Sequence, residues 1–459
     1  MKVSLINRVT KLPKSFATSL TPIQCLVMGY ALVVLFIAFL LTLPISSANP
    51  GVTQSFVDAI FMASSGISTC GLCVVDVGSY YSHFGQVVLL VDVQIGGIGY
   101  MSIFIFIAYI LNMKTSMLNK IIARESMSGP SFGGLLQFFK SVIAFTFIFE
   151  FIGAFILMLF WMREFPIGKA AYYGVYHSIN AFCTAGVGLL PNNLMNYQKS
   201  YVMNFTIIAI SLIGGIGFFV LNDIYFLFKK KVSIKDFFKS LTVHSKLAII
   251  TTATILFITT VIVFISENWS PDLSLWDRIM SSVFQTVSAS TTNGHNTMNI
   301  GAMSATSLCA IMMLMFIGAS PGSTGGGIKT TTFGVIWLSL IALWREKDVV
   351  LFKRRISAET SNKSFAIFFW FVVVITVDIL VMAATEKGTF LQILFEIVSA
   401  LGNTGLSTGI TSSLSTIGKI LLSIAMFVGR VGPLTVSFAL LGKAKTMRYT
   451  YAEAEVFVG

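Results

Sequence analysis

The sequence predicts an all-α integral membrane protein of four consecutive helix–pore-loop–helix repeats around a pseudo-fourfold pore. Three observations predict it. First, 55% of the 459 residues are hydrophobic, only 11% are charged, and the mean hydropathy is +0.84. Soluble domains carry about 25% charged residues, so a water-facing surface of ordinary polarity is excluded. Second, a short polar turn around a glycine recurs four times, at Gly71, Gly186, Gly294 and Gly405, at intervals of 115, 108 and 111 residues. Third, lysine and arginine gather in the segments between these recurring units and at the two ends of the chain.

Recurrence at a fixed period marks one structural unit used again. Ahead of each glycine stands an aromatic-led pair: Phe61-Met62, Tyr176-His177, Phe284-Gln285 and Phe395-Glu396. Two residues before the glycines stand Thr69, Thr184, Thr292 and Asn403. A second mark follows each turn: IGGIG at 95–99 and 213–217, Ile317-Gly318-Ala319, and VGRVG at 428–432. Four glycine turns supplied by one chain fit around one axis, as an ion filter built from backbone carbonyls requires.

Taken in order, apolar stretches occupy 25–43, 87–111, 142–162, 203–228, 247–265, 307–317, 365–384 and 417–441. Most reach the ~20 residues that cross a ~30 Å hydrocarbon layer as helix. The first is too long for the apolar region of a cleavable signal peptide, and no cleavage site follows it. Segments 56–68, 170–183, 276–290 and 390–401 are too short to span and read as half-spanning pore helices that lead into the turns. Unwound polar backbone at that depth persists only when buried in protein or lining water. Glycine there permits unusual dihedrals and keeps side chains out of the path. The chain divides into repeats at 1–112, 113–229, 230–345 (with an intramembrane loop at 318–330) and 346–459.

The ends and links hold 23 of the 31 lysines and arginines, among them Lys2, Arg8, Lys11, Lys14, Lys114, Lys120 and Arg124. The positive-inside rule then places both termini in the cytoplasm and the glycine turns near the outer face of the cell membrane. The net charge of +12 reflects this loop bias and contact with anionic lipid, with no nucleic acid required.

With these motifs the whole chain resembles the Trk/Ktr/HKT superfamily of potassium transport proteins. The run GASPGSTGGGIKT at 318–330 resembles that family's glycine-rich break in the third repeat, and VGRVGPLT at 428–435 its arginine-bearing helix in the fourth. The modest length and the tail RYTYAEAEVFVG at 448–459 resemble the Ktr-type membrane subunit. The resemblance implies potassium uptake, dependent on sodium in several such systems. It also implies a homodimer with one pore per protomer and a cytoplasmic ring of nucleotide-binding regulatory subunits. The filter would comprise Thr69, Cys70, Gly71; Thr184, Ala185, Gly186; Thr292, Asn293, Gly294; and Asn403, Thr404, Gly405. Two departures stand out: Asn293 and His295 flank the third glycine where the family more often has Ala and Phe, and Asn403 replaces Thr in the fourth turn. One glycine per strand, against two in potassium channels, leaves fewer stacked carbonyl sites. Glycine in all four strands nonetheless favours potassium, by resemblance to members in which Ser replaces the first and sodium permeates.

The break at 318–330 is the expected moving part, with Gly318, Gly322, Gly325, Gly326, Gly327 and Lys329 as gating residues. Counted from residue 301, a helix of ~25 Å would place it inside the membrane below the filter. Its likeness to a phosphate-binding loop fails, because Ile328 separates the last glycine from Lys329 and no strand precedes it. Arg430, the other gating residue, costs at least ~2.5 kcal/mol in an apolar helix unless paired. Glu396 is its expected partner and Asp58 the alternative, and the arginine reads equally as a structural clamp or as a barrier to cations. Glu150, Asp92, Asp378 and Asp223 read as helix-to-helix hydrogen bonders. The five cysteines form no disulfide framework, and Cys70-Gly71-Leu72-Cys73 falls inside the first turn. His83, His177, His244 and His295 have no metal-ligand spacing. With no nucleophile–base pair, an enzyme is not expected. The competing readings are the ion-binding membrane subunit of a potassium-importing P-type ATPase, a sodium-permeable cation transporter, and an inverted-repeat antiporter. The last is opposed by four repeats that run the same way.

Overall fold

The computed structural model describes residues 22–49, 51–99 and 135–432. Both termini, the basic residues Lys114, Lys120 and Arg124, the boundary at 112/113 and the tail at 448–459 lie outside the described residues. The helices begin with α1 (Pro22–Thr42), α2 (Phe56–Ile67), α3 (Val77–Tyr80) and α4 (His83–Ile98). α5 (Leu135–Trp161), α6 (Ile167–Phe182), α7 (Tyr201–Gly215), α8 (Phe218–Lys229) and α9 (Ile234–Ser240) follow. Next come α10 (Val243–Ser266), α11 (Leu275–Ser290), α12 (Ala305–Ile317) and α13 (Thr330–Trp344). The series ends with α14 (Ala358–Thr385), α15 (Phe390–Gly402) and α16 (Thr416–Val431).

Three of these carry spans long and apolar enough to cross a membrane: Phe138–Trp161, Val243–Ser266 and Ala358–Thr385. Their outward faces are apolar and open, with Phe147 and Phe151 on α5, Phe257 and Ile265 on α10, and Phe369 and Leu380 on α14. Lipid solvates such faces, while the polar groups go inward: His177, Asn180, Gln285 and Glu396 are fully buried.

The half-length helices α2, α6, α11 and α15 match the expected short segments to within a few residues. Each starts on local chemistry where the sequence supplies it. The Ser55 hydroxyl accepts from Asp58 N–H, and Ser274 with Asp277 and Thr389 with Gln392 form reciprocal capping boxes. The aromatic that leads each pair, Phe61, Tyr176, Phe284 or Phe395, is at most 1% exposed, which makes it the anchor of its helix in the core. Besides its own neighbours, each short helix touches one helix from the preceding unit: α6 touches α4, α11 touches α7, α15 touches α12 and α2 touches α16. The last contact returns to the start, so the chain of contacts is closed.

Three expectations change. The apolar stretch at 203–228 is no straight span, because α7 and α8 meet at a bend of 96° around Ile216 and Gly217. Gly217, at φ +97, takes a backbone conformation that would strain a side chain, and the helix turns there. The third unit's inner helix is also shorter than expected. A 3₁₀ turn takes Ile300–Ala302, leaving 13 residues in α12, or ~20 Å. Finally, the all-α expectation missed a small antiparallel hairpin, Val350–Leu351 with Arg354–Arg355, in the link before α14.

Helices α5 and α6 pack through glycine. A Cβ on Gly174 would stand 2.7 Å from the Ala154 carbonyl oxygen and 2.9 Å from Met158 N. Gly174→Leu is therefore expected to cost about 1–3 kcal/mol by overpacking. The check is the melting temperature in detergent: an unchanged transition would show that this contact is loose.

Candidate functional site

The short helices end alike, and the ending is built from backbone. In each, a residue adopts the left-handed conformation: Thr69 (φ 55), Thr184 (φ 54), Thr292 (φ 57) and Asn403 (φ 51). Its N–H returns to the carbonyl three residues earlier: Gly66, Ala181, Ala289 and Ala400. The next N–H returns five residues: Cys70 to Ser65 (2.8 Å), Ala185 to Asn180 (2.9 Å), Asn293 to Ser288 (2.8 Å) and Thr404 to Ser399 (2.9 Å). This pair of bonds is the Schellman motif, which ordinarily places Gly or Asn where three of these ends place threonine. A β-branched residue at positive φ is strained, and such strain clusters at functional sites. Asn tolerates the conformation, so the departure at Asn403 is conformationally conservative.

After each motif comes the glycine, again at positive φ: Gly71 (95), Gly186 (59), Gly294 (79) and Gly405 (84). The four lie against one another in cyclic order. A Cβ on Gly71 would strike the carbonyl oxygen of Ala185, on Gly186 that of Asn293, on Gly294 that of Thr404, and on Gly405 that of Cys70. The side chain is absent because the neighbouring backbone already occupies its place. The C-terminal, partially negative ends of four helices thus converge on one ring of backbone, an arrangement that attracts a cation. Thr69, Cys70, Thr184, Ala185, Thr292, Asn293, Asn403 and Thr404 are all at most 1% exposed, so the structure brings all twelve expected residues together.

The loop 318–329 joins α12 to α13 and reaches this ring. Thr69 Oγ1 donates to the Thr324 carbonyl (3.0 Å), the Thr184 and Thr324 hydroxyls are 3.1 Å apart, and Gly326 N–H donates to Thr292 Oγ1 (3.1 Å). A Cβ on Gly326 would stand 2.7 Å from that of Asn403, so the loop meets all four left-handed residues. It is also bound to the bend between α7 and α8. Ser320 N–H donates to Gly215 O, Thr324 N–H to Gly214 O, and Phe218 N–H to Gly322 O. Thr324, fully buried, was not singled out by sequence reasoning, because nothing distinguishes it from Ser323 in a run of small residues.

Arg430 requires a correction. Its guanidinium donates to the carbonyls of Thr324 and Gly96, and not to Glu396 or Asp58. Glu396 instead accepts from Ser407 Oγ (2.7 Å), Thr408 N (2.9 Å) and Thr411 Oγ1 (2.7 Å), which ties down the strand leaving Gly405. Asp58 is paired with Lys419 at 2.6 Å. Carbonyl acceptors leave no mark in a sequence, whereas carboxylates do, and that misdirected the pairing. Of the other carboxylates, Glu150 accepts from Gln94 (3.0 Å) and Asp223 from Thr242 N–H (2.9 Å). Neither oxygen of Asp92 nor Oδ2 of Asp378 has a hydrogen-bond partner.

The second glycine marks have a packing role. A Cβ on Gly96, Gly214 or Gly429 would strike the carbonyl of Ile67, Phe182 or Leu401 at the end of its own short helix. Each mark closes with a glycine of positive φ, Gly99 (85), Gly217 (97) and Gly432 (90), and the matching conformation in the third unit belongs to Lys329 (φ 91, ψ 135). The expected register at Ile317-Gly318-Ala319 is therefore displaced by the inserted loop. Lys329 Nζ donates to Gly325 O (2.6 Å) and Gly326 O (3.2 Å), holding the loop by its carbonyls.

Comparison with known proteins gives the family. The family model for TrkH, a cation transport protein, matches residues 16–448. Ktr system potassium uptake protein B of Bacillus subtilis (strain 168) is 36% identical over 444 residues, covering 96% of this chain and 97% of that protein. The protein of the same name from Vibrio alginolyticus is 32% identical, covering 92% of this chain and 91% of that one. The potassium/sodium uptake protein NtpJ of Enterococcus hirae is 31% identical, covering 98% of this chain and all of its own length. The crystal structure of the potassium transporter TrkH from Vibrio parahaemolyticus superposes with a TM-score of 0.69 at 19% identity, covering 90% of this chain and 84% of that one.

Lys329 offers a direct check on backbone strain. Lys329→Ala and Lys329→Gly both remove the ammonium, but only glycine relieves the positive φ. The glycine variant is expected to be more stable than the alanine variant by about 1–2 kcal/mol, measured as the difference in thermal unfolding. Equal stabilities would show that the segment relaxes to another conformation.

Proposed function

The chain belongs to the TrkH family of cation transport proteins, whose Trk/Ktr members take up potassium, and from this premise we propose a channel-like, ion-translocating subunit for potassium with a glycine-carbonyl filter. The observation that carries the proposal is the closed ring of four glycine turns, each pressed on the carbonyl that precedes the next unit's glycine. The four units act as pore repeats. The ring stands at the converging C-terminal ends of their short helices, where carbonyl oxygens replace the hydration shell of the ion. Thr69, Thr184, Thr292 and Asn403 form its floor. Sodium, transported by the relative NtpJ as its name states, is the coupled or competing ion.

The loop 318–329 acts as the gate. It touches every floor residue, and its Thr324 carbonyl binds Arg430, whose charge at that depth opposes cations while the loop is in place. Clamp and barrier are thus one contact. A cytoplasmic nucleotide-binding partner ring, which the resemblance to the Ktr-type membrane subunit implies, controls the loop, and the chain works as a homodimer in the cell membrane with both termini inside.

Gly405→Ser puts a side chain where the Cys70 carbonyl already stands, at φ 84. Rubidium uptake by potassium-transport-deficient cells should show lower apparent affinity and a smaller preference over sodium, by about ten-fold (1.4 kcal/mol) or more. Wild-type discrimination in a well-expressed variant would remove the ring from the filter role.

Removal of residues 320–325 should raise flux several-fold and leave ion preference near wild type, and Thr324→Gly should move the same way to a smaller degree. Flux in reconstituted vesicles is the measurement. Unchanged flux in both folded variants would reduce the loop to a spacer.

A further inference from the structure

Beside the ring, between the second and third units, two histidines far apart in sequence come together. The rings of His177 on α6 and His295, the residue after Gly294, have centroids 6.0 Å apart, and both side chains are fully buried. Each ring has one nitrogen against an oxygen acceptor: His177 Nδ1 lies 2.9 Å from the Tyr173 carbonyl, and His295 Nδ1 lies 3.1 Å from Asn293 Oδ1. Those acceptors fix the tautomer, leaving Nε2 of each ring as a lone-pair donor. His295 Nε2 has no hydrogen-bond partner, and His177 Nε2 has only a long contact with Leu189 N–H at 3.5 Å.

A third acceptor stands on the His177 side of the pair. Asn193 Oδ1 is buried and unpartnered, while its Nδ2 donates to the Gly186 carbonyl at 3.4 Å. Gly188 leaves room here: its missing Cβ would lie 3.7 Å from both Asn193 Oδ1 and His177 Nε2, and Gly188 and Asn193 are only half-buried. Buried imidazoles oriented by oxygen acceptors on their far nitrogens are the arrangement that metal ligands adopt. Zinc–nitrogen bonds of about 2.0–2.1 Å put two rings on one ion about 5–6 Å apart between centroids. Among the described residues no group of three or more His, Cys, Asp and Glu placed to hold a metal ion exists, so a third protein ligand here would be the Asn193 carboxamide oxygen.

We propose that His177, His295 and Asn193 form a site for a zinc-class dication, with water completing the coordination. Imidazole nitrogen suits zinc, nickel and copper above the alkali and alkaline-earth cations, so the site is distinct from that of the transported ion. Its ligands adjoin two turns of the ring. His295 follows Gly294, and Asn193 holds the Gly186 carbonyl. An ion bound there ties the second turn to the third and restrains both, which slows transport.

The test uses the purified full-length protein and zinc chloride. Wild type is expected to bind one zinc per chain by equilibrium dialysis. His295→Phe should weaken binding about ten-fold or more, and Asn193→Asp, which supplies a charged oxygen, should tighten it. Because Asn193→Asp is expected to gain affinity, misfolding cannot mimic the predicted pattern. No binding by folded wild type, or equal binding by all three proteins, overturns the site. The effect on transport rests on the filter reading above and is measured separately as inhibition of rubidium uptake by external zinc. Inhibition that is weaker in His295→Phe supports the coupling, and zinc bound without inhibition overturns it.

Discussion

Backbone pressed against backbone, with no side chain between, is the constraint on which this fold depends. At Gly71, Gly186, Gly294 and Gly405 the carbonyl of the neighbouring unit fills the place of a Cβ. A close approach of this kind cannot be built by side-chain packing, because any side chain would widen the ring. It requires the four short helices to be held from outside and to end in one fixed way. The outside hold comes from the closed cycle of contacts through α4, α7, α12 and α16. The ending comes from the doubled backbone bond at each C-terminus. Glycine recurs one layer out for the same reason: Gly96, Gly214 and Gly429 let the inner helices lie on the carbonyl ends of the short ones.

Polarity is arranged around that ring in the reverse of a soluble core. The apolar aromatics at the outer faces cost nothing in lipid, and the buried polar groups must be satisfied internally or bind something. Glu396 shows the first solution, with hydroxyls and an N–H from Ser407, Thr408 and Thr411 around one carboxylate. His177 occupies the corresponding place in the second unit: its Nε2 accepts from Leu189 N–H as Glu396 accepts from Thr408 N–H. The histidine is the weaker version of the same tie, and that slack leaves its lone pair open to a ligand.

Much of this was legible because it repeats. The short helices, the glycine turns and the residues flanking them could be read from register alone, since four copies of one pattern exclude accident. The loop at 318–329 was legible from its composition, because five glycines and a proline in twelve residues do not continue a helix. What stayed hidden has no side-chain signature. Arg430 binds carbonyls, Thr324 acts partly through its own carbonyl, and the bend at Gly217 is a property of φ rather than of hydropathy. His177 and His295 were hidden for a different reason: they lie far apart along the chain, and the fold brings them together across two units.

The third unit shows how a repeated scaffold accommodates an inserted loop. In the other three, a glycine at positive φ, Gly99, Gly217 or Gly432, ends the inner helix. Here the same backbone conformation is kept but delayed by the inserted loop, and it falls on Lys329, which bears it at the cost of strain. The loop supplies the contacts that the missing glycine pair would have made, with Gly325 against the Thr291 carbonyl and Gly326 against Asn403. It is therefore a packing element, and in the proposed function also the obstruction. Moving it aside breaks hydrogen bonds to Gly214, Gly215 and Thr292 together and leaves the Arg430 guanidinium with one of its two carbonyls. Under the proposed gating role, a binding partner supplies the free energy that this rearrangement takes.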